Sequence, residues 1–190
     1  SSKHSLALLA ARGIRGSAQK LLYILSITGG VPWYLELFSA KQSALNNIYR
    51  LCFEKGGALV KEFDRIFGDL FSKRENIYRE IVSLLIPGKL RQTQLAKKLN
   101  YSNSNRFSSY LNDLKNAGFI KEDFTWSIKT SQIAKQAQWR LSDNSLRFYL
   151  KYISPELPAI EGDSCNSAAI LEKMPGIIGL QFENLVLSNR

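Results

Sequence analysis

Histidine, cysteine and methionine are scarce in this sequence, and their scarcity excludes several kinds of site. The single histidine is His4, and the two cysteines, Cys52 and Cys165, lie far apart in the chain. This set supplies neither a catalytic triad nor the clustered ligands of a zinc site. Cysteines used in this way are typical of a reducing compartment, so we expect a cytoplasmic protein.

Long apolar runs and a phosphate-binding P-loop are also missing. No stretch approaches the roughly 18 consecutive apolar residues that span a membrane, so we expect no membrane partner. The nearest approach to a P-loop is "PGKLRQ", which begins at Pro87 and lacks the first glycine and the hydroxyl residue that would hold magnesium. No carboxylate pair stands out for acid–base chemistry. We therefore expect no catalytic site within this chain.

Acidic residues are under-represented in the middle of the chain. The net charge is +10, and residues 71–153 hold 15 Lys/Arg against 6 Asp/Glu, whereas residues 154–190 hold 2 against 5. A concentrated basic surface favours a polyanionic partner, with an acidic protein or simple solubility as the alternatives.

Residues 1–70 carry helical periodicity and are expected to form a small all-helical bundle. One of its helices is predicted to begin after Ser43, a residue type that caps helix N-termini. Cys52 falls on the apolar face of that helix and is predicted to be buried as a small hydrophobic residue.

A tight corner is predicted within "ITGGVPWYLELF". Gly29 and Gly30 permit the turn, and Pro32 suits the first turn of a helix over residues 32–40. The corner is either an ordinary turn between helices or an anion site, because the first N–H groups of a helix lack intrahelical partners.

Residues 71–153 change from helical to extended periodicity. Three helical stretches are predicted, the first capped by Ser72 and the second by Thr93. Two aromatic-bearing extended runs, "FIKEDFTW" and "QAQWRLS", follow Gly118 and predict a β-hairpin in which Trp126 and Trp139 pair or pack beneath the sheet. The inward-facing residues of the third helix are predicted to be Phe107, Tyr110, Leu111 and Leu114.

Helix, short helix, turn, helix and hairpin together predict a winged helix-turn-helix. A trailing helix follows Asp143 and is expected to end at "SPELPAIEGD". The fold class is therefore mainly α, with a helical bundle over residues 1–70, a winged helix with its trailing helix over residues 71–153, and a linker leading into a further domain over residues 154–190.

The third helix of a helix-turn-helix presents its exposed N-terminal residues to the major groove of DNA. We predict that Lys97, Lys98, Lys121 and Lys129 meet phosphates, since lysine mostly fixes position on the backbone. The alternative is a winged helix that docks a protein or a neighbouring subunit without touching DNA. The candidates for contact at the third helix are Ser102, Asn103, Ser104, Asn105, Arg106 and Ser109.

An ordered set of phrases resembles the archaeal-type ATPases of the AAA+/STAND class, which also occur in bacteria. The set covers nearly the whole chain and comprises "ITGGVPWYLELF", "NNIYRLCFEKGGALVKEF", the helix-turn-helix, "WRLSDNSLRFYLKYISPELPAIEGD" and "GLQFENLV". In that family a P-loop domain comes first, followed by a helical lid, a winged helix and a C-terminal domain of restriction-endonuclease type. The resemblance implies that the chain is the part after the P-loop domain.

The resemblance also implies a role for the glycine corner. Gly29, Gly30 and Pro32 would face ATP and magnesium held mainly by the P-loop domain, and this chain alone would bind neither. Glu183 matches a helix glutamate that lies near the metal in nuclease-like folds, although a plain amphipathic helix explains it equally well. The remaining alternative is a free-standing winged-helix regulator that dimerises through its helices.

The two ends of the chain bear on whether it is a fragment. Met174 is the only methionine, so no initiator is present, which either loss of a first methionine before Ser1 or excision from a longer protein would explain. The other end favours excision, because "GLQFENLVLSNR" reads as an amphipathic helix without a terminal cap. We therefore expect a fragment of a longer protein. The apolar face of this last helix is predicted to contain Leu180, Phe182, Leu185, Val186 and Leu187.

Overall fold

A computed structural model describes residues 2–71, 75–102, 104–124, 126–127, 132–133 and 137–188. The protein is mainly helical with a small three-stranded antiparallel sheet, which confirms the predicted class. The chain divides into two compact units, the first made of Ser1–Ile66 with Asn144–Arg190 and the second of Phe67–Asp143. In the described part of the chain, no helix is long and apolar enough to cross a membrane.

The elements are numbered in chain order. The helices are α1 (Ser2–Ala11), α2 (Ala18–Thr28), α3 (Pro32–Glu36), α4 (Ala44–Cys52), α5 (Glu62–Phe71), α6 (Glu75–Leu84), α7 (Gln92–Lys98), α8 (Ser104–Asn116), α9 (Asn144–Phe148), α10 (Leu157–Glu161) and α11 (Ser167–Ser188). The strands are β1 (Leu90–Arg91), β2 (Ile120–Asp123), β3 (Trp126–Ser127), β4 (Gln132–Ile133) and β5 (Gln138–Leu141).

The first unit is built around α2, α4, α9 and α11, which pack against one another. Ser43 caps α4 as predicted, because its hydroxyl accepts a hydrogen bond from the Asn46 N–H at 3.0 Å. Cys52 is 1% exposed, which confirms its place in the core, and burial raises the pKa of its thiol far above the ordinary value. It is therefore a packing residue and not a reactive thiolate.

Helix α3 is shorter than predicted, ending at Glu36 instead of continuing to Ala40. The buried side chain of Asn47 explains the early end. Its Oδ1 accepts from the Ser39 N–H at 2.8 Å, and its Nδ2 donates to the Ser39 carbonyl at 2.9 Å. These bonds give the backbone after α3 a non-helical partner, which is how asparagine competes with helix formation.

The predicted break at "SPELPAIEGD" was wrong. After α9 the chain continues through a π-helical turn at Tyr149–Ile153, a 3-10 turn at Ser154–Glu156 and then α10. Pro155 and Pro158 stand in the first turns of the last two elements, where the missing N–H has no intrahelical partner. Each proline therefore begins a helical turn and does not end one.

The two described members of the predicted apolar face of α11 share one side of the helix, but that side is exposed. Phe182 is 46% exposed and Val186 is 40% exposed, whereas Gln181 is 1% exposed. The buried face is set by Met174, Ile177 and Ile178 one and two turns earlier, and it continues through a glutamine that periodicity scores as polar. The side chains of the other predicted members, Leu180, Leu185 and Leu187, lie outside the described part of the structure.

The second unit packs α6, α7 and α8 with the sheet. Helices occupy all three predicted stretches, and the four residues predicted to face inward from α8 are buried. Gly118 follows α8 with φ +84°, so it provides the predicted stop. Ser72, the predicted cap of α6, lies outside the described residues. Those four buried residues of α8 are Phe107, Tyr110, Leu111 and Leu114.

The three-stranded sheet has the order β1-β5-β2, with antiparallel pairing throughout. The two predicted extended runs pair with each other as β2 and β5, and β1 is a strand that the sequence did not predict. Trp139 lies opposite Glu122 and Leu90, while Trp126 lies opposite Ile133 in the separate β3–β4 pair. The predicted cross-strand pairing of the two tryptophans was therefore wrong, because the hairpin contains a second, outer pair of strands.

The two units do not follow the three consecutive segments expected from the sequence. Residues 144–153 group with the first helices because α9 packs on α2, and residues 154–190 join the same unit because α11 packs on α2 and α4. The physical reason is that helical periodicity identifies an apolar face but not the surface that covers it.

Candidate functional site

The turn between α7 and α8 is held in place by one tyrosine. Asn100 adopts φ +51°, a left-handed conformation that asparagine tolerates better than most residues. The Tyr101 N–H donates to the Ala96 carbonyl at 2.9 Å, and the Tyr101 hydroxyl donates to the Tyr110 hydroxyl at 3.2 Å. The Tyr101 ring also packs on Phe107, with ring centroids 5.5 Å apart. This turn therefore positions the start of α8 relative to α7.

The start of α7 is tied to α8 by a second polar contact. Gln92 donates from Nε2 to the Ser108 hydroxyl at 2.7 Å. The side chain of Gln94 accepts from the Arg91 N–H at 2.8 Å, so the residue before α7 is Arg91. The predicted cap at Thr93 was wrong, because α7 begins at Gln92, two residues earlier than that cap implies, and the Gln94 side chain caps the Arg91 N–H instead.

The residues predicted to contact DNA are exposed wherever they are described. Asn103 and Lys129 lie outside the described residues, and so does the side chain of Ser104. Lys121 lies on β2, beyond the opposite end of α8, with about 16 Å of helix between Asn105 and the end of α8. It therefore belongs to a different part of the surface. The exposed candidates are Lys97, Lys98, Ser102, Asn105, Arg106, Ser109 and Lys121.

The part of the chain that forms α7 and the N-terminal half of α8 contains no acidic residue. Between Glu80 and Asp113 the sequence holds five cationic residues and not one aspartate or glutamate. Four of the five are exposed on or beside α7 and α8, and the fifth, Lys89, forms an ion pair at the sheet. We call the exposed surface of Arg91, of α7 and of the N-terminal half of α8 the α7–α8 surface. Its cations are Arg91, Lys97, Lys98 and Arg106.

Arg91 was missed by the sequence analysis. It was not among the residues predicted to contact DNA, and it lies exposed in β1, immediately before α7. The absence of acidic residues between Glu80 and Asp113 was the sequence signal that would have placed Arg91 among the candidate contact residues.

Three cations near the sheet are paired with carboxylates of β2. Asp123 accepts from Arg140 Nε at 3.0 Å and lies 2.5 Å from Lys89 Nζ, and Lys115 pairs with Glu122. Burial raises the pKa of the Asp123 carboxyl, but its bonds to Lys89 and Arg140 outweigh burial, so the pKa lies below its ordinary value. The positive charges of Lys89, Lys115 and Arg140 are therefore largely offset by the carboxylates of β2.

The glycine corner joins α1, α2 and α3. Gly29 ends α2 with φ +61°, and Gly30 follows with φ +80°. The Ser5 hydroxyl donates to the Gly30 carbonyl at 3.2 Å, and a Cβ added to Gly30 would lie 2.7 Å from Ser5 Oγ. Only glycine fits this position without disturbing the contact with α1.

The second half of the corner is open to solvent. Pro32 is the first residue of α3, as predicted, and both Pro32 and Trp33 are exposed, Trp33 by 44%. Because α3 has only five residues, its dipole is small, and the electrostatic basis of an anion site is weaker than the sequence indicated. What remains is a closely turned backbone beside an exposed aromatic side chain.

A metal centre has no support among the described residues, where no group of three or more His, Cys, Asp or Glu side chains is placed to hold an ion. Glu183 lies within α11, but its side chain is outside the described part of the structure.

Comparison with known proteins gives no match. Neither a protein-family model, nor a curated protein, nor a solved structure is similar to this chain.

Proposed function

We propose that this chain belongs to an ATPase of the AAA+/STAND class, in which it follows the P-loop domain, and that its second unit is a winged helix that binds DNA. The observation that carries DNA binding is the acid-free α7–α8 surface. The first unit then corresponds to the helical lid, which senses ATP and magnesium held by the P-loop domain.

The order of elements supports the winged-helix proposal. From α6 to β5 the chain runs helix, strand, two helices and then a long hairpin, and β1 pairs with the last strand of that hairpin. In a winged helix with this order α8 is the recognition helix. Asn105 and Ser109 are one turn apart on it and both are exposed, so they are available to base edges and phosphates.

Charge makes DNA a suitable partner for this surface. Each phosphate that a lysine or arginine neutralises releases a condensed counterion, and this release drives association. Arg106 stands in the first turn of α8 and Lys97 and Lys98 stand in the last turn of α7, so all three lie near the turn that Tyr101 holds. These three cations are the ones we expect to contribute most.

The DNA proposal is tested by charge removal on the α7–α8 surface. Arg106→Ala and the double variant Lys97→Ala/Lys98→Ala should weaken binding to a labelled duplex by about 10-fold per lost phosphate contact at 0.1 M salt. Fluorescence anisotropy measures the affinity. Lys3→Ala/Lys41→Ala is the matched control, since it removes two exposed lysines from the first unit. Equal losses in this control and in Lys97→Ala/Lys98→Ala would show that only overall charge matters.

The corner proposal is tested in the longer protein that contains the P-loop domain. Gly30→Ala should weaken ATP binding at least 5-fold, because the new Cβ displaces Ser5 and with it the backbone turn. Gly56→Ala is the control, since Gly56 has the same φ of +80° and no atom within 4 Å of an added Cβ. Equal ATP affinity in the two variants, measured by equilibrium titration, would reduce the corner to a structural turn.

Protein docking is the second candidate, and an exposed aromatic residue favours it. Phe124 is 58% exposed directly after β2, where a docking partner could cover it. This candidate predicts that Phe124→Ala leaves DNA affinity unchanged, and that the second unit binds a protein or another copy of the chain with or without DNA.

A further inference from the structure

A cavity of about 580 Å³ opens beside the loop that joins α4 to α5. Its apolar lining consists of Ala58, which is exposed, and of Val60 and Ile160, which are buried at 3% and 1% exposure. The volume falls within the range of about 300–1,000 Å³ that is usual for sites of small organic ligands. The cavity lies wholly in the first unit and shares no residue with the α7–α8 surface.

The loop that forms one wall has a well-defined shape. The Leu59 N–H donates to the Leu51 carbonyl at 2.9 Å, and the Val60 N–H donates to the Gly57 carbonyl at 3.0 Å. A Cβ added to Gly57 would lie 2.7 Å from the Leu51 carbonyl oxygen, so this position accepts only glycine. The wall is therefore part of the fold and does not need a ligand to form it.

Two of the charged groups at the cavity already satisfy each other. Arg65 donates to both carboxylate oxygens of Glu62, at 2.8 and 3.0 Å, and the Glu62 side chain is 9% exposed. This paired geometry is the strong form of an arginine–carboxylate contact. Glu62 therefore presents no free negative charge to a ligand.

Two lysines remain at the rim. Lys55 is exposed and forms no ion pair with any residue in the described ranges. Lys61 lies 3.4 Å from Glu161, and both side chains are largely exposed, at 76% and 61%. Exposed pairs of this kind contribute little and exchange readily with other partners. An incoming anion can therefore displace Glu161 as the ion-pair partner of Lys61.

We propose that this cavity binds a small amphipathic anion, with its apolar body against Ala58 and the outer edges of Val60 and Ile160, and its acidic head between Lys55 and Lys61. The apolar lining buries the apolar body of the ligand, and the positive charge of the two lysines selects an anionic head group. Binding breaks the pair between Lys61 and Glu161, and the head group then connects the α4–α5 loop with the N-terminal end of α5. The site is independent of DNA binding.

The test is a titration of the isotope-labelled chain followed by amide NMR. The probes are octanoate and octyl phosphate, which share the apolar body and differ in the head group. Octyltrimethylammonium carries the opposite charge, and inorganic phosphate lacks the body. We expect saturable shifts at residues 55–65 and 160–161 with one or both anionic probes, and no saturation with the other two. The better anionic probe identifies the head group.

Three variants locate the site. Lys55→Ala/Lys61→Ala should lower the affinity for the better anionic probe at least 10-fold, whereas the control Lys3→Ala/Lys41→Ala should leave that affinity unchanged. Glu161→Gln should raise the affinity for the same probe by about 2- to 5-fold, because the side chain that competes with the probe for Lys61 has lost its charge. Since Glu161 is exposed, this variant is expected to fold.

The proposal is overturned by any of three results. Saturation by the cationic probe would show an apolar cavity without charge selection, and shifts centred outside residues 55–65 and 160–161 would place binding elsewhere. Weaker binding by Glu161→Gln would show that Glu161 supports the site and does not compete for it.

Discussion

Two adjacent glycines in the loop after α4 differ in what they contribute to the fold. Gly56 adopts φ +80° with open space around it, whereas Gly57 faces the carbonyl oxygens of Leu51 and Arg50. The first glycine is required for its backbone conformation and the second for its lack of a side chain.

We predict that Gly57→Ala destabilises the protein much more than Gly56→Ala. Its Cβ would lie 2.7 and 2.8 Å from two backbone oxygens that cannot rotate away, which costs about 3 kcal/mol. Gly56→Ala carries only the left-handed penalty of about 1–2 kcal/mol. Urea unfolding followed by circular dichroism measures both. Equal decreases in the free energy of unfolding of the two variants would mean that the loop backbone shifts to accommodate the added Cβ.

Asp123 stabilises the second unit in a pH-dependent way. Asp123→Asn should lower the free energy of unfolding at pH 7 by about 1–3 kcal/mol, since the buried Arg140 loses its charged partner. Because the folded pKa of Asp123 is lowered, its contribution is complete above pH 4–5 and is lost as the pH falls through the folded value. The difference in the free energy of unfolding between wild type and Asp123→Asn should therefore become smaller at acid pH.

Glu122→Gln is the matched control for this prediction. Its carboxylate pairs with Lys115 at a more exposed position, so the change should stay within about 0.5 kcal/mol. A gap between wild type and Asp123→Asn that does not change from pH 7 to pH 3 would contradict the linkage.

At the residue scale, the sequence predicted those features that a single side chain or a local turn decides. The cap at Ser43 and the stop at Gly118 follow from local geometry and are confirmed. The strand β1 was not predicted, because a strand of two residues exists only through its pairing with β5. No local pattern reports a strand of that length.

At the scale of single elements, α11 shows where periodicity is insufficient. Its buried face includes Gln181, whose Nε2 donates to the Ser26 carbonyl at 3.1 Å and to the Asn144 carbonyl at 2.8 Å. One polar side chain thus joins α11 to α2 and to the start of α9. A hydrophobicity pattern assigns such a residue to the surface.

We predict that Gln181→Met destabilises the first unit by about 1–3 kcal/mol despite its similar volume, because two buried carbonyl groups lose their donor. Phe182→Ala should change stability by less than about 0.5 kcal/mol, since that ring is 46% exposed. Thermal unfolding ranks the two variants. The opposite ranking would restore the face predicted from the sequence.

The helices of the whole molecule were easier to predict than their grouping. Sequence periodicity located α2, α4, α6 and α8, yet residues 144–190 return to the first helices, which no local signal announces. The candidate site follows the same rule. Its charges and its exposed α8 face were visible in the sequence, whereas the α7–α8 turn depends on the contact between Tyr101 and Tyr110.

DNA binding by the α7–α8 surface is the central claim at this scale, and the salt dependence of duplex binding tests it most directly. With four or five phosphate contacts, the logarithm of the association constant should fall with the logarithm of salt concentration with a slope of about −4. Lys97→Ala/Lys98→Ala should reduce the slope by about 2. A flat dependence, or no binding at low salt, would contradict DNA binding and leave protein docking as the function of this surface.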